Sequence, residues 1–381
     1  MEKMENTKSV TNEYARDSKQ QEDLELIAKS EIEFEKYAGK TVFVTGATGL
    51  IGSSLVKTLL CVNRLRKCNI KIIAAVRNRE KAEDIFGNLI NRKELTLYVG
   101  DIICPISIDE KIDYIFHTVS ITTSKTMVEH PVMTIETSYQ GTKNVLELAK
   151  QKDIEGMVYV SSMEIYGIPD RNLNDVSEKD LGYIDIDKVR SSYSEGKRIC
   201  ECLCNAYAGE YDVPVKSARL AQTFGAGVLE TDNRVYVQFA KSAIEHRNIV
   251  LHTEGTSEGN YCYIRDVIKA LLLLGYKGNY GEAYNVVNEN THMQIREMAA
   301  LVAEEIAGGK IKVEFDIPES DLKYGYAPAV KMKLSSAKLR ALGWKPEVDL
   351  EEMYKRMICD MSGKEDVKFF IKKHNKNLII S

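Results

Sequence analysis

The stretch Thr41-Val-Phe-Val-Thr-Gly-Ala-Thr-Gly-Leu-Ile-Gly52 decides the fold of this 381-residue chain. Residues 41–44 favour β structure, as in a buried parallel strand, and the apolar spacing of residues 53–60 is helical. Three glycines, at positions 46, 49 and 52, lie between them. This order of strand, glycine turn and helix N-terminus turns backbone N–H groups and the positive end of a helix dipole toward an anion. The stretch therefore predicts a dinucleotide-binding turn.

Each glycine of this turn has a separate predicted role. Gly46 allows the tight turn, Gly49 the close approach of a pyrophosphate, and Gly52 the packing of helix on strand. The residues expected to contact the phosphates are Gly46, Thr48, Gly49, Leu50, Ile51 and Gly52.

Composition and charge indicate a cytoplasmic enzyme. With 44% hydrophobic residues the chain can bury a sizeable core, and its net charge of −4 predicts neither a nucleic-acid nor a membrane surface. The longest apolar run, residues 270–274, is too short to cross a bilayer, and residues 1–40 lack an apolar signal core. The eight cysteines form no disulfide framework pattern, and Cys200, Cys202 and Cys204 fit one helix better than a metal site. No metal is expected.

Strand and helix patterns alternate along the first two thirds of the chain and predict a doubly wound parallel α/β sheet of Rossmann type, followed by a smaller mixed α/β C-terminal domain. We expect an N-terminal extension over residues 1–37, a dinucleotide-binding domain over 38–224 and a substrate-binding domain over 225–381. Within the extension, residues 1–20 read as disordered and residues 21–37 as a short helix. The predicted strands are residues 41–44, 70–76, 95–99, 114–117, 156–160 and 215–220, and the predicted helices among them include 141–151 and 199–207.

Tyr193 and Lys197 form a second informative pair. They are four residues apart and would share one face of a helix. A nearby ammonium lowers a tyrosine pKa, which would make Tyr193 an acid or base near neutral pH, although such a pair also occurs as an ordinary surface contact. A third signal is Ser161 and Ser162, which end a strand at the edge of the sheet where ligands of such folds bind.

Together these motifs resemble the extended short-chain dehydrogenase/reductase family, in its NAD-dependent epimerase/dehydratase branch, whose members modify sugar nucleotides. The resemblance covers about residues 38–360. The motifs that carry it are Thr45-Gly-Ala-Thr-Gly-Leu-Ile-Gly52, Gly100-Asp101-Ile102, Gly141-Thr-Lys-Asn-Val145, Ser161-Ser-Met-Glu-Ile-Tyr-Gly167, Tyr193-x-x-x-Lys197, Tyr263-Ile-Arg-Asp266 and Leu342-Gly-Trp-Lys-Pro346.

The resemblance implies roles for individual residues. Tyr193 would be the proton shuttle, Lys197 its electrostatic tuner and ribose anchor, and Ser162 a hydrogen-bond donor to the reacting oxygen. Glu164 matches a glutamate that dehydratases and decarboxylases use as base or orienting group, or else it only bonds the loop backbone. Further expected cofactor contacts are Asp101 and Ile102 at the adenine, and Val119, Ser120 and Leu220 along the cleft. The expected substrate contacts are Ser124, Lys125, Ser162 and Gln222.

Four positions depart from the family pattern. Arg77 stands at the end of the second strand, where an NAD enzyme carries an acidic residue; it can pair with a 2′-phosphate, so NADP(H) is favoured and NAD(H) remains possible. Alternatively, Arg77 stacks on adenine without discriminating. Gly259 replaces an arginine that clamps the substrate diphosphate, so either Lys125 or Arg234 substitutes for it or the substrate is not a nucleoside diphosphate sugar. Gln222 and Ser138 each replace an asparagine.

The expected function is NAD(P)-dependent hydride transfer on an activated sugar, of the epimerase, dehydratase or decarboxylase type. The alternative is an NADPH-consuming reductase of a keto-sugar or keto-sugar phosphate, and a third hypothesis is a non-catalytic NADP sensor. The partner is a small sugar nucleotide or sugar phosphate. The resemblance also implies a homodimer that pairs through helices at about 126–150 and 193–210.

Overall fold

The computed structural model describes residues 12–15, 18–229, 231–317 and 330–363. Its strands are β1 (Thr41–Thr45), β2 (Lys71–Val76), β3 (Leu95–Val99), β4 (Tyr114–His117), β5 (Gly156–Ser162), β6 (Val215–Leu220), β7 (Gln222–Phe224), β8 (Ile249–Leu251), β9 (Glu258–Tyr263), β10 (Ala283–Val286), β11 (Asn288–Gln294) and β12 (Val313–Phe315). Its α-helices are α1 (Lys19–Lys29), α2 (Leu50–Arg66), α3 (Arg79–Phe86), α4 (Ser124–Glu129), α5 (Pro131–Lys152), α6 (Ser191–Tyr211), α7 (Val235–Glu245), α8 (Ile264–Tyr276), α9 (Ile295–Leu301), α10 (Ala337–Arg340) and α11 (Leu350–Ser362).

A seven-stranded parallel sheet in the order β10-β6-β5-β4-β1-β2-β3 forms the centre of the molecule. The chain winds outward from β1 through β2 and β3, and then crosses to the other side of β1 to form β4. Because the connections at this reversal leave on opposite faces, a crevice opens beyond the carboxyl ends of β1 and β4. The predicted doubly wound fold is confirmed, as are the six predicted strands.

Helices cover both faces of this sheet, and the strand residues alternate between the two cores. Val42 and Val44 pack in the core that includes α2 and α8, whereas Phe43 packs in the core beneath α5 and α6. Since successive strand side chains point to opposite faces, a strand in the middle of a sheet that is covered on both sides is buried at every position. The burial of every residue of β1 is therefore explained by its central position.

A smaller unit follows β6. Strands β11, β9 and β7 form a three-stranded sheet, and β12 and β8 a two-stranded one. The chain also returns to the main sheet after residue 225, because α8 packs on β4, β5 and β6, and β10 pairs with β6. The division at residue 225 stays a prediction, and residues on both sides of it build the central sheet.

Two of the sequence motifs meet away from the crevice. The Trp344 indole nitrogen donates to the Asp266 carbonyl at 3.0 Å, and the backbone nitrogens of Glu347 and Val348 donate to the Asp266 carboxylate at 2.9 and 3.1 Å. These contacts attach the segment before α11 to the first turn of α8. The Tyr263–Asp266 and Leu342–Pro346 motifs therefore have a structural role, because they hold these two segments together.

The described part of the N-terminal extension is more ordered than expected. Glu13 has no exposed side-chain surface, which contradicts the prediction of disorder at that position; most of residues 1–20 lie outside the described residues. The single helix predicted over residues 21–37 is also wrong. Helix α1 ends at Lys29, where the Ser30 hydroxyl bonds the Ile27 carbonyl at 2.7 Å, and a short 3₁₀ turn follows at Phe34–Tyr37.

The cysteines are as predicted for the described part of the chain. Cys200 and Cys204 are buried in α6, Cys202 is exposed, and no disulfide joins any of the eight. Among the described residues, no helix is both long and apolar enough to cross a membrane.

Candidate active site

The glycine turn between β1 and α2 has the predicted geometry. Gly46 has a φ of +66°, a conformation that favours glycine, and a Cβ there would lie 2.9 Å from the Thr118 hydroxyl. A Cβ on Gly52 would lie 2.2 Å from the Gly46 carbonyl oxygen. The fold itself therefore requires these two glycines.

Gly49 differs from its neighbours in being free of steric constraint. It is exposed with a φ of −84°, and the nearest atom to a Cβ there would be the Gly46 carbonyl oxygen at 3.4 Å. Gly49 is also the N-cap of α2, whose first turn has no side-chain cap and no acidic residue. Such an end leaves backbone N–H groups and a positive dipole facing outward. The turn fits the pyrophosphate of a dinucleotide, with Thr48, Leu50 and Ile51 beside Gly49.

The ends of β2 and β3 bring Arg77 and Asp101 together. The Arg77 guanidinium is 3.9 Å from the Asp101 carboxylate, and the Arg77 side chain is 73% exposed. Ile102 is buried against α5, where a Cβ on Gly141 would lie 2.4 Å from its Cδ1. The Asn144 amide donates to the Ile102 carbonyl at 2.8 Å. This loop is thus held in place beside the crevice, as the adenine site of the family resemblance requires.

The loop after β4 carries the next predicted contacts. Thr118 bonds the Thr45 carbonyl at 2.7 Å, which places Val119 against the glycine turn: its backbone nitrogen is 3.0 Å from the position of a Cβ on Gly46. Ser120 follows and hydrogen-bonds Tyr193. The loop therefore connects the cofactor turn with the residues of α6.

Tyr193, Ser162 and Lys197 meet at the carboxyl edge of the sheet. Ser162 ends β5 next to Leu220 of β6, and its hydroxyl hydrogen-bonds Tyr193. The Lys197 ammonium lies 5.9 Å from the centre of the Tyr193 ring and donates to the Val160 carbonyl at 2.7 Å. The shared helix face predicted for Tyr193 and Lys197 is present, and the surface-pair alternative is wrong because Lys197 is only 2% exposed.

The pKa of Tyr193 shifts in the direction opposite to the one expected. Burial raises the pKa of Tyr193 above its ordinary value, the Glu164 carboxylate adds to the rise, and hydrogen bonds from Ser162 and Ser120 oppose it. Burial also lowers the pKa of Lys197 to about 8. Desolvation thus outweighs the two hydrogen bonds and the attraction of the Arg190 guanidinium, all of which favour the phenolate.

Glu164 lies beside these residues and is held by an ion pair. Nη2 of Arg190 lies 2.9 Å from Oε1 and 2.8 Å from Oε2 of Glu164, and the Ser194 hydroxyl donates to Oε2 at 3.4 Å. The Arg190 guanidinium is also 5.4 Å from the centre of the Tyr193 ring. Glu164 is therefore a side chain of the Tyr193 cluster, although its backbone N–H also bonds the Ser162 hydroxyl at 3.2 Å.

The predicted substrate contacts differ in how far they are exposed. Ser124 is exposed at the start of α4, and Lys125 is 82% exposed and 3.8 Å from Glu129. Gln222 is half-buried in β7 next to Tyr261 of β9, and Gly259 lies on the same face of β9 as Tyr261, with no atom within 4 Å of where its Cβ would be. The position of the family's arginine is thus open space.

Arg234 is the better placed of the two candidate replacement cations. Its Nε lies 3.1 and 3.0 Å from the two carboxylate oxygens of Asp232, and its guanidinium is 5.0 Å from the centre of the Tyr236 ring. Its charge also interacts with the Tyr193 phenol. The neutralising Asp232 carboxylate weakens it as an anion site.

Sequence reasoning assigned no role to several residues that position the site. Arg190 lies only three residues before Tyr193, but its ion-pair partner Glu164 is 26 residues away along the chain. Buried Arg219 of β6 bonds Glu201 of α6 at 2.7 Å and fixes the helix that carries Tyr193. No local pattern pairs such distant residues. Among the described residues, no cluster of His, Cys, Asp and Glu could hold a metal.

Comparisons with known proteins agree with this geometry. UDP-glucuronic acid decarboxylase 1 of Xenopus tropicalis is 28% identical over 315 residues, which cover 82% of this chain and 70% of that protein. An epimerase from Methanothermobacter thermautotrophicus superposes with a TM-score of 0.71 at 22% identity, covering 89% of this chain and 96% of that one. A dTDP-glucose 4,6-dehydratase from Bacillus anthracis, solved in complex with NAD, gives 0.68 at 18% identity, covering 86% and 98%.

The sequence model of the NAD dependent epimerase/dehydratase family matches residues 42–287. That span takes in more than half of the chain and every candidate cofactor and catalytic residue from the glycine turn to Gln222. This protein therefore belongs to the NAD dependent epimerase/dehydratase family and is an enzyme of that family.

Proposed function

We propose that this enzyme converts a nucleotide-activated sugar without net redox change, and that decarboxylation of an activated uronic acid is the favoured reaction. The observation that carries the proposal is the position of Glu164, held by Arg190 beside Tyr193 and Ser162. The sequence relatives that support it are UDP-glucuronic acid decarboxylases.

The protein groups would act on one hydroxyl of the sugar. A nicotinamide, when bound, supplies reversible hydride acceptance. The Ser162 hydroxyl orients the reacting oxygen, and Tyr193 takes its proton and later returns it. Lys197 favours the tyrosinate electrostatically once the cleft is filled. Burial of Tyr193 and Lys197 keeps water away from this exchange.

Glu164 and Arg190 give the site its proposed selectivity. Oxidation of a ring hydroxyl β to a carboxylate produces a β-keto acid, which loses carbon dioxide readily. Arg190 can bind the substrate carboxylate in place of Glu164, and the released Glu164 can then orient the sugar or accept a proton. This exchange needs no further cation near Tyr193.

The dinucleotide preference is a separate proposal. Arg77 is exposed and favours the 2′-phosphate of NADP(H), whereas Asp101 at 3.9 Å partly neutralises it. Titration of the protein with NADH and NADPH, each followed by nucleotide fluorescence, measures the choice. The Arg77→Gln variant should weaken NADPH binding about tenfold and leave NADH binding nearly unchanged if Arg77 contacts that phosphate.

The second candidate function is a net NADPH-dependent reductase of a keto-sugar or keto-sugar phosphate. The exposed Arg77 and the open space at Gly259 both favour it, because no cation stands at that position to hold a diphosphate.

One assay separates the two candidates. The purified protein is incubated with UDP-glucuronic acid, and with ketose phosphates plus NADPH, and the products and nucleotide absorbance are followed. Carbon dioxide release without net change in nucleotide redox state supports the decarboxylase. Stoichiometric NADPH consumption on a sugar phosphate supports the reductase and overturns the leading proposal.

We also propose that two copies pair through α5 and α6. Val132, Ile135 and Tyr139 of α5 and Ile199 of α6 are exposed by 68%, 44%, 38% and 46%. An apolar surface of this kind favours association. Light scattering of the Val132→Asp variant should give half the mass of the unmodified protein, and an unchanged mass would contradict the pairing.

A further inference from the structure

The described residues 12–15 and 18–30, which we term the N-terminal strap, lie before the family match that begins at residue 42. They nevertheless pack against α2, α8 and α11. The strap thus lies outside the segment that the family model matches, yet it is packed against the helices on both sides of the cofactor crevice.

The strap holds the C-terminal end of α2. The fully buried Glu13 carboxylate accepts from Arg64 at 2.9 Å and from Arg92 at 3.0 Å. Arg66, the last residue of α2, donates to the carbonyls of Ala28 and Ser30 at 2.6 and 2.7 Å. The helix whose N-terminus faces the cofactor is therefore anchored to the strap at its far end.

The strap also holds the chain beyond β9. Buried Asp23 accepts from Arg356 of α11 at 2.8 Å, from Arg265 of α8 at 3.2 Å and from the Tyr263 hydroxyl at 2.6 Å. Burying a carboxylate is costly unless charged hydrogen bonds compensate it, and here three donors converge on one group. One segment thus joins α2 to α8 and α11.

The strap, α2 and α11 all contact Gly227, which lies in the loop between β7 and α7. The Gln20 amide nitrogen lies 2.9 Å from where a Cβ on Gly227 would be, and Leu50, the first residue of α2, lies 3.5 Å from the same point. The Gly227 N–H donates to Asp360 of α11 at 2.7 Å. Gly227 has a φ of +94°, so this close approach depends on glycine.

We propose that the N-terminal strap is a positioning element of the active site, which fixes the pyrophosphate-binding N-terminus of α2 against the Gly227 loop on the substrate side. The strap fixes α2 at Arg64 and Arg66 and reaches its first turn through Gln20, Gly227 and Leu50. A helix of 17 residues is about 25 Å long, so a small tilt at its anchored end displaces its N-terminus. The strap therefore acts on cofactor affinity as well as on stability.

The test uses full-length protein with Gln20→Ala, Asp23→Asn or, as a control on the exposed side of α1, Lys29→Gln. Two readouts need no sugar substrate: the Kd for NADH or NADPH, whichever binds the unmodified protein more tightly, and amide hydrogen exchange of residues 46–53 without nucleotide. Failure of the proposed sugar chemistry would leave both readouts intact.

Gln20→Ala should raise the nucleotide Kd about three- to tenfold and speed exchange at residues 46–53, because it loosens the Gly227 contact without leaving a charge unpaired. Asp23→Asn should do the same with a larger loss of thermal stability, and Lys29→Gln should change neither readout. If Gln20→Ala and Asp23→Asn lower the melting temperature but leave the nucleotide Kd and the exchange at residues 46–53 unchanged, the strap has only a structural role and the proposal is overturned. The proposal is also contradicted if the Gln20→Ala variant is folded and its nucleotide Kd and exchange are unchanged.

Discussion

Arg190 binds both carboxylate oxygens of Glu164 through one nitrogen, at 2.9 and 2.8 Å, directly beside Tyr193. Both side chains are about one-third exposed, so the pair contributes little to folding, on the order of 1 kcal/mol or less. The main effect of the ion pair is to fix the position of the Glu164 carboxylate. Arg190 keeps the carboxylate at a fixed place near the Tyr193 hydroxyl, where a free glutamate would have several rotamers.

The Arg190→Gln variant should lose about 10- to 100-fold in kcat/KM, because it can neither hold Glu164 in place before substrate binds nor bind the substrate carboxylate afterwards. Steady-state kinetics with the substrate found in the assay above measure this effect, and thermal unfolding should be almost unchanged. Arg171→Gln, a change at an exposed position of the same loop, is the matched control. Equal kinetics in both variants would show that Arg190 has no role in the reaction.

Tyr193→Phe should lower kcat by about 10²- to 10⁴-fold, since it removes only the oxygen that carries the proton. Nucleotide binding and melting temperature should stay close to those of the unmodified enzyme. Tyr183→Phe, at a side chain that is 65% exposed, should be fully active. A fully active Tyr193→Phe variant would mean that the active-site assignment is wrong.

Gly49→Ala and Gly52→Ala should separate cofactor binding from folding. A methyl group on Gly49 would make an ordinary van der Waals contact of 3.4 Å with the Gly46 carbonyl oxygen at an allowed φ of −84°, so stability should fall by less than about 1 kcal/mol while nucleotide Kd rises at least tenfold. The Cβ of Gly52→Ala would lie 2.2 Å from the Gly46 carbonyl oxygen, and unfolding should become easier by about 2 kcal/mol or more. Chemical denaturation and nucleotide titration test both. Equal nucleotide affinity in Gly49→Ala and the unmodified protein would exclude a pyrophosphate at this turn.

The central sheet could be predicted from sequence because each strand carries its own signal. The run at residues 42–44 is apolar throughout, which requires cover on both faces, and the glycine turn after it fixes its direction. The N-terminal strap could not be predicted in this way. Glu13 and Asp23 are charged residues in a charged segment, and only partners far along the chain, such as Arg64 and Arg356, make their burial favourable.

The candidate site shows the same limit. Tyr193 and Lys197 were found because helix spacing places them on one face, and Ser162 because a strand ends there. The predicted direction of the Tyr193 pKa shift is wrong, because the sequence reveals the neighbouring lysine but not how far both groups are desolvated. The pairing of Arg190 with Glu164 depends on how the loop after β5 returns to α6, which no local pattern specifies.

The last prediction concerns Lys197, whose pKa is lowered by burial to about 8 from its ordinary 10.5. Below pH 8 the ammonium is charged in both the folded and the unfolded chain, and the folded state bears the cost of burying it. Between pH 8 and 10.5 the folded state loses its proton first, so this cost disappears as the pH rises. Lys197→Met should therefore unfold less readily than the unmodified protein at pH 7, by about 2 kcal/mol after loss of the bond to Val160, although it is inactive. Denaturation of both proteins at pH 7 and pH 10 measures the difference, which should shrink at the higher pH. A Lys197→Met variant that is less stable at pH 7 would show that the ammonium is compensated in the folded state, and that burial does not depress its pKa.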